Sequence, residues 1–175
     1  SVKDTMKKSF CGYKNFYSEL SKYAEGIHVL RDGAEIDEVD RFETQYGMYL
    51  PANYKQWLLE HNGGELFATP VGTNLAGILG RKERTKGVFY LEDNFDSKKR
   101  VGIPNYIFMI ADTCDGNVIG FDLQRTNLED GVVVYWNHET GESDDEWDGF
   151  EEWLNDEMET GKLLIDYDGT DKEEI

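Results

Sequence analysis

The 175-residue chain is 39% hydrophobic and 13% aromatic, which suits one domain spanning residues 1–175 with a substantial buried core and argues against intrinsic disorder. No apolar run approaches the roughly 20 residues that cross a bilayer, and a net charge of −18 repels nucleic acid and anionic lipid surfaces. No cationic-then-apolar opening resembles a secretion signal, and Cys11 and Cys114 form neither a disulfide framework nor a zinc spacing, so cytoplasmic residence is expected.

The first helix is expected over Tyr13 to Tyr23, where Phe16, Leu20 and Tyr23 share one side. It stops before Gly26. Ile27 to Leu30 then reads as a short strand or packing segment, and Arg31-Asp32-Gly33 as a turn. A second helix follows, in which Ile36, Val39, Phe42, Glu43 and Tyr46 recur at near-helical spacing, with Gly47 suited to a left-handed stop. Pro51 pushes Leu50 toward extended geometry and is tolerated at the start of a new helix. Tyr54, Trp57, Leu58 and His61 line that third helix, which Asn62-Gly63-Gly64 breaks.

From Glu65 to Leu91, glycines recur among the short apolar runs Leu66-Phe67-Ala68, Ile78-Leu79 and Val88 to Leu91, a pattern of short strands joined by turns. Arg81 to Lys86 and Lys98 to Arg100 are small basic stretches, expected as solvated loops. Ile107 to Ile110 is short enough for a buried strand. Asp115-Gly116-Asn117 offers residues that tolerate positive φ, and Val118 to Leu123 alternates, so a hairpin is expected there. Val132 to Trp136 is a further β-branched and aromatic strand. The acidic stretch Glu139 to Glu146 is expected as a loop leading to Asp148, which has capping-box-like spacing with Glu151. In a closing helix, Trp147, Phe150, Leu154 and Met158 should face the sheet, with Asp148, Glu152, Asp156 and Glu159 on the solvated side. After Gly161, Leu163 to Ile165 is expected to pack or pair, and the acidic tail 168–175 to fray.

The charge is unevenly spread. Residues 1–111 carry 15 acidic and 15 basic side chains, whereas residues 112–175 carry 21 acidic ones against Arg125, Lys162 and Lys172. Such a field attracts a cationic partner and speeds its encounter, although acidity also serves solubility alone. Known catalytic patterns are missing. No nucleophile elbow, phosphate loop or dinucleotide fingerprint appears, and His28, His61 and His138 lack the paired spacing of zinc enzymes. His138 reads as a structural hydrogen-bonding residue. Asp166, Asp168 and Asp171 flank Gly169 at the wrong offset for a calcium loop. Cys114 lies between carboxylates that disfavour a thiolate, and Asp112 with Asp122 is the remaining candidate carboxylate pair. No catalytic residue, metal or cofactor is therefore expected.

Four stretches in order carry a resemblance. Phe42-Glu43, Tyr46-Gly47, Leu50-Pro51, Tyr54-Lys55 and Asn62-Gly63-Gly64 resemble the opening signature of the SMI1/KNR4 (SUKH) superfamily. Ile107 to Leu123 resembles its strand–turn–strand, Val132 to His138 its strand ending in Trp-x-His, and Phe150 to Leu154 its closing helix. Residues 65–105 match poorly. The resemblance, like the element order, implies an α+β fold in which a mostly antiparallel twisted sheet packs against amino- and carboxy-terminal helices. It also implies a binding protein rather than an enzyme. Bacterial members resemble immunity proteins that neutralise polymorphic or contact-dependent toxins, often nucleases, and eukaryotic members resemble regulatory scaffolds. The expected partner is a cognate cationic toxin domain, with no nucleic acid or membrane, and the chain is expected as a monomer or weak dimer. The expected partner-binding residues are Tyr135, Glu139, Glu142, Asp144, Asp145, Glu146, Trp147, Asp148, Glu152 and Asp156, with Trp147 and Tyr135 as candidate anchors.

Overall fold

The computed structural model describes residues 12–68, 72–96 and 102–172. Cys11, the basic stretch Lys98 to Arg100 and the last three tail residues lie outside them. The described chain holds four α-helices: α1 (Lys14–Leu20), α2 (Ile36–Tyr46), α3 (Ala52–Glu60) and α4 (Phe150–Lys162). Its strands are β1 (Val29–Leu30), β2 (Gly64–Leu66), β3 (Thr73–Leu75), β4 (Ile107–Asp112), β5 (Val118–Thr126), β6 (Gly131–Asn137) and β7 (Glu142–Trp147). They form one seven-stranded antiparallel sheet in chain order. The expected α+β architecture is thus present.

Strand alternation divides the sheet into two faces. Phe108, Ala111, Ile119, Phe121 and Val133 join side chains from all four helices in the larger core. Ile107, Met109, Val118, Val134 and Trp136 point to the other face, against Ile103 and Phe89. The larger core is aromatic at its centre. Trp57 meets Tyr13 edge-on at 5.4 Å, Tyr54 meets Phe121 edge-on at 5.3 Å, and the Phe150 ring lies tilted against Trp57 at 5.7 Å. Edge-to-face ring pairs of this kind add about 0.5–1.5 kcal/mol each beyond their buried area.

The α2–α3 junction is built as its residues suggest. Gly47 adopts φ 62°, and its N–H reaches the Glu43 carbonyl. Leu50 is buried and Pro51 caps α3 with extended geometry. The Asn62-Gly63-Gly64 exit does more than stop a helix. The buried Asn62 amide accepts the Ile78 N–H at 2.7 Å and donates to the Ile78 carbonyl at 2.9 Å. A Cβ on Gly63 would lie 2.6 Å from the Leu75 carbonyl oxygen, so this close approach admits only glycine.

Several expectations are corrected. Ile36 is 54% exposed at the first position of α2, outside its buried stripe. His61 is not on the α3 face but at its extended carboxy-terminal cap. Ile78-Leu79 forms no strand, and Val88 to Leu91 contributes only a bridge from Tyr90 to Gly77 before a 3-10 helix, Leu91–Phe95. The stretch Arg81 to Lys86 is exposed as expected, and from it Arg84 pairs with both oxygens of the buried Asp93 in that 3-10 helix at 2.8 and 2.6 Å. Asp112 and Asp122 stand at opposite ends of the β4–β5 hairpin, opposite Val118 and Ile107, so they form no carboxylate pair. From Asp168, where fraying was expected, the chain instead turns and pairs, with Ile165 bridged to Asp171 and the Lys172 N–H on the Leu164 carbonyl.

Candidate partner-binding surface

The stretch Glu139 to Glu146, expected as a loop, is a tight turn followed by an edge strand. Gly141, at φ 71°, turns the chain, and its N–H reaches the Asn137 carbonyl at 2.8 Å. Residues 142–147 then pair with β6, Val134 opposite Glu146 and Val133 opposite Trp147, with an irregularity that leaves Asp144 as the extra residue. Side chains such as these have low β-propensity. Pairing with the strongly β-forming strand Val132 to Trp136 overrides that preference, and charged residues suit an outer edge.

Beneath the turn, the Asn117 amide donates to the Tyr135 hydroxyl at 2.6 Å, and its oxygen accepts the His138 backbone N–H at 3.1 Å. The same oxygen lies 2.7 Å from the His138 Nδ1, so the ring donates from that nitrogen. His138 is thus a structural hydrogen-bonding residue. Tyr135 is half-buried on the helix-bearing face and packs against the larger core.

Asp144 and Asp145 are exposed. Asp144 receives the Asn137 amide at 2.9 Å, and Asp145 receives the Glu146 backbone N–H at 2.8 Å. Glu146 meets Arg125 at 2.7 Å, while the Arg125 Nε reaches Asp122 at 2.8 Å. That guanidinium holds the Glu146 carboxyl below the usual range. The Trp147 indole ends β7 rather than starting the helical stripe, is half-buried, and donates to Asp156 at 3.1 Å. Glu152 accepts the Asp148 N–H at 2.8 Å. Glu139, Glu142, Asp148, Glu152 and Asp156 are exposed.

Nine of the ten expected residues lie on β7, its turn, the junction at Asp148 and the first two turns of α4, whereas Tyr135 lies on the neighbouring β6. Two residues that matter to this flank were not singled out from the sequence. Arg125 offsets part of its charge. Asp130 supplies the helix cap expected of Asp148, since Gly149 holds the cap position and Asp130 accepts the Phe150 N–H at 3.2 Å from the β5–β6 turn. Only charge alternation on β5 could have marked Arg125, and nothing local marks Asp130.

Clefts lie elsewhere among the described residues. One, of about 160 Å3, is lined by Arg31, Asn74, Phe89, Met109 and Asp112 among others. A wider one of about 440 Å3 lies between Tyr46, Arg84, Glu92 and Phe95. Glu157 is the described carboxylate that burial holds above its ordinary range, and it lines neither cleft, being bonded to the Thr73 hydroxyl at 2.8 Å. Among the described residues no group of three or more His, Cys, Asp or Glu is placed to hold a metal ion. No described helix is long and apolar enough to cross a membrane.

Comparison with protein families gives a match to the SMI1 / KNR4 family (SUKH-1) over residues 33–156, from the turn before α2 into α4. No curated protein matches the chain.

Proposed function

This chain belongs to the SMI1/KNR4 family (SUKH-1), and we propose that it is an immunity protein that binds and neutralises a cognate toxin domain through the acidic β7–α4 flank. Members of this family are generally non-catalytic binding or immunity proteins, so the coarse expectation is a protein partner. What supports the finer reading is that Glu142, Asp144, Asp145, Asp148, Glu152 and Asp156 are all exposed and lie on β7, the first two turns of α4 and the junction between them. A nuclease toxin must be cationic to hold phosphates, and an acidic surface competes for the same residues. Complexes of this kind bury about 1,600 Å2 in total with a few anchors among the charges. Here the half-buried Trp147, between β7 and α4, is the candidate anchor.

The test is co-expression with the toxic carboxy-terminal domain encoded immediately upstream. Survival is expected with the wild-type chain and lost when Asp144, Asp145 and Glu146 are changed together to Lys. Protection unchanged by that triple reversal moves the interface elsewhere. An upstream gene without such a domain, with several unrelated partners recovered instead, replaces immunity by the regulatory-scaffold reading.

A further inference from the structure

The described sheet has two outer edges of unequal kind. At one end β1 offers two residues, whereas β7 at the other end offers six, roughly 20 Å of extended backbone. Among the described residues only β6 pairs with β7. An unpaired edge presents backbone donors and acceptors ready to receive another strand, and proteins ordinarily blunt such edges. In β7 the backbone N–H of Glu146 is held by the side chain of Asp145, and the Asp148 N–H just beyond the strand is held by Glu152. These are carboxylates of the same flank, both exposed.

We infer that β7 receives an extended, cationic segment of the partner protein as an eighth strand. The inference names the binding mode of the surface proposed above and rests on that reading for the partner's identity. An incoming carbonyl takes the Glu146 N–H from Asp145, and that carboxylate then turns to a Lys or Arg of the new strand. Register makes the requirement specific. Asp145 and Trp147 lie on the helix-bearing face opposite Tyr135 and Val133, and Glu146 lies on the other face opposite Val134. A matching strand therefore carries basic residues at alternate positions on that face, one beside Asp145 and the next over the Trp147 ring, with apolar side chains on the Glu146 face. A second copy of this chain is a poor occupant, because it brings the same carboxylates to the edge and like charges across strands are unfavourable.

The experiment uses the full chain and three blocked decapeptides: alternating Lys–Val, alternating Lys–Pro of equal charge, and alternating Glu–Val. The Lys–Pro peptide keeps the charge but cannot form a ladder. Lys–Val is expected to bind at least about tenfold more tightly than Lys–Pro, the factor that corresponds to one or two net backbone hydrogen bonds. Glu–Val is expected not to bind. Hydrogen exchange of the Glu146 and Asp148 amides should slow with Lys–Val alone. Glu146→Pro removes an edge donor and should abolish the Lys–Val preference while leaving the far-ultraviolet circular dichroism unchanged. Equal binding of Lys–Val and Lys–Pro, or no slowing at Glu146, overturns strand addition, and the exchange measurement on the wild-type chain decides even if the proline variant does not fold. Loss of strand addition with cells still protected by the wild-type chain leaves the immunity reading intact. Lys–Val binding as described, with no protection against any upstream toxin, supports strand addition and removes the immunity reading alone.

Discussion

The carboxylate of Glu43 accepts the backbone N–H of Leu50 at 2.6 Å, which ties the last turns of α2 to the residue before Pro51. Its second oxygen meets Lys55 of α3 at 3.0 Å, and the glutamate is only 8% exposed. One buried side chain thus fixes both helices that open the family-matched region.

Removing that carboxylate leaves the Leu50 donor buried and unpaired. Glu43→Ala is expected to destabilise the fold by about 2–3 kcal/mol, the range for charged hydrogen bonds in buried sites. Glu43→Gln keeps an acceptor and should cost less than half of that. Urea denaturation of the three proteins checks the order, and equal losses for Ala and Gln would mean that Lys55, not Leu50, is the partner that matters.

Asp130 joins three elements. It accepts the Phe150 N–H at the start of α4 at 3.2 Å, the Gly131 N–H at 2.9 Å and the Asn53 amide of α3 at 3.0 Å. Asp130→Ala is expected to cost about 1–2 kcal/mol, as for other lost helix caps. Amide exchange should quicken first in the opening turn of α4. Protection unchanged there would assign the cap to solvent.

Acid stability should depend on His28. Its Nδ1 accepts the Phe67 N–H at 3.0 Å, and its ring lies edge-on to Tyr23 and Phe67 at 4.8 and 4.5 Å. Burial holds its pKa down to about 4 against 6.5 in the unfolded chain. Between those values the unfolded state binds the extra proton, so this contribution is complete above pH 6.5 and is lost as pH falls toward 4. With allowance for partial exposure the loss is about 1–2 kcal/mol. His28→Asn keeps an acceptor for Phe67 without the titration, so its stability should fall less steeply over that window. Parallel pH curves for the two proteins would contradict this.

Arg125 is the cation that partly neutralises the β7 edge through Glu146 and Asp122. Arg125 and Glu146 are both exposed, so losing their ion pair in Arg125→Gln should change stability little. Its larger effect should be on association. With the guanidinium gone, a Lys-rich peptide should associate faster, and the salt dependence of its on-rate should steepen. Stopped-flow measurement at two ionic strengths checks it, and an unchanged rate would place the encounter surface away from β7.

Much of the architecture was legible in local patterns. The apolar spacing of Val39, Phe42 and Tyr46 with Gly47 behind it marked α2, and the alternation of Val118 to Leu123 after Asp115-Gly116-Asn117 marked the β4–β5 hairpin. Both are set by neighbours a few residues apart, so sequence order carries the information. The 3-10 helix after Tyr90 was not legible, because nothing local marks the pairing of Arg84 with its Asp93, and β7 was not, because its own composition opposes a strand.

The candidate site divides along the same line. The sequence by itself determined that the surplus negative charge lies after residue 111 and that the chain has a period-2 and period-3.6 core, since charge counts and periodicities are additive along the chain. Tertiary structure alone decided that the acidic stretch becomes the outer strand of the sheet, that Tyr135 and Trp147 are half-buried, and that Arg125 and Asp130 reach the same flank. Those outcomes depend on which backbone donors find acceptors across tens of residues, a pairing problem whose energies arise only between distant segments.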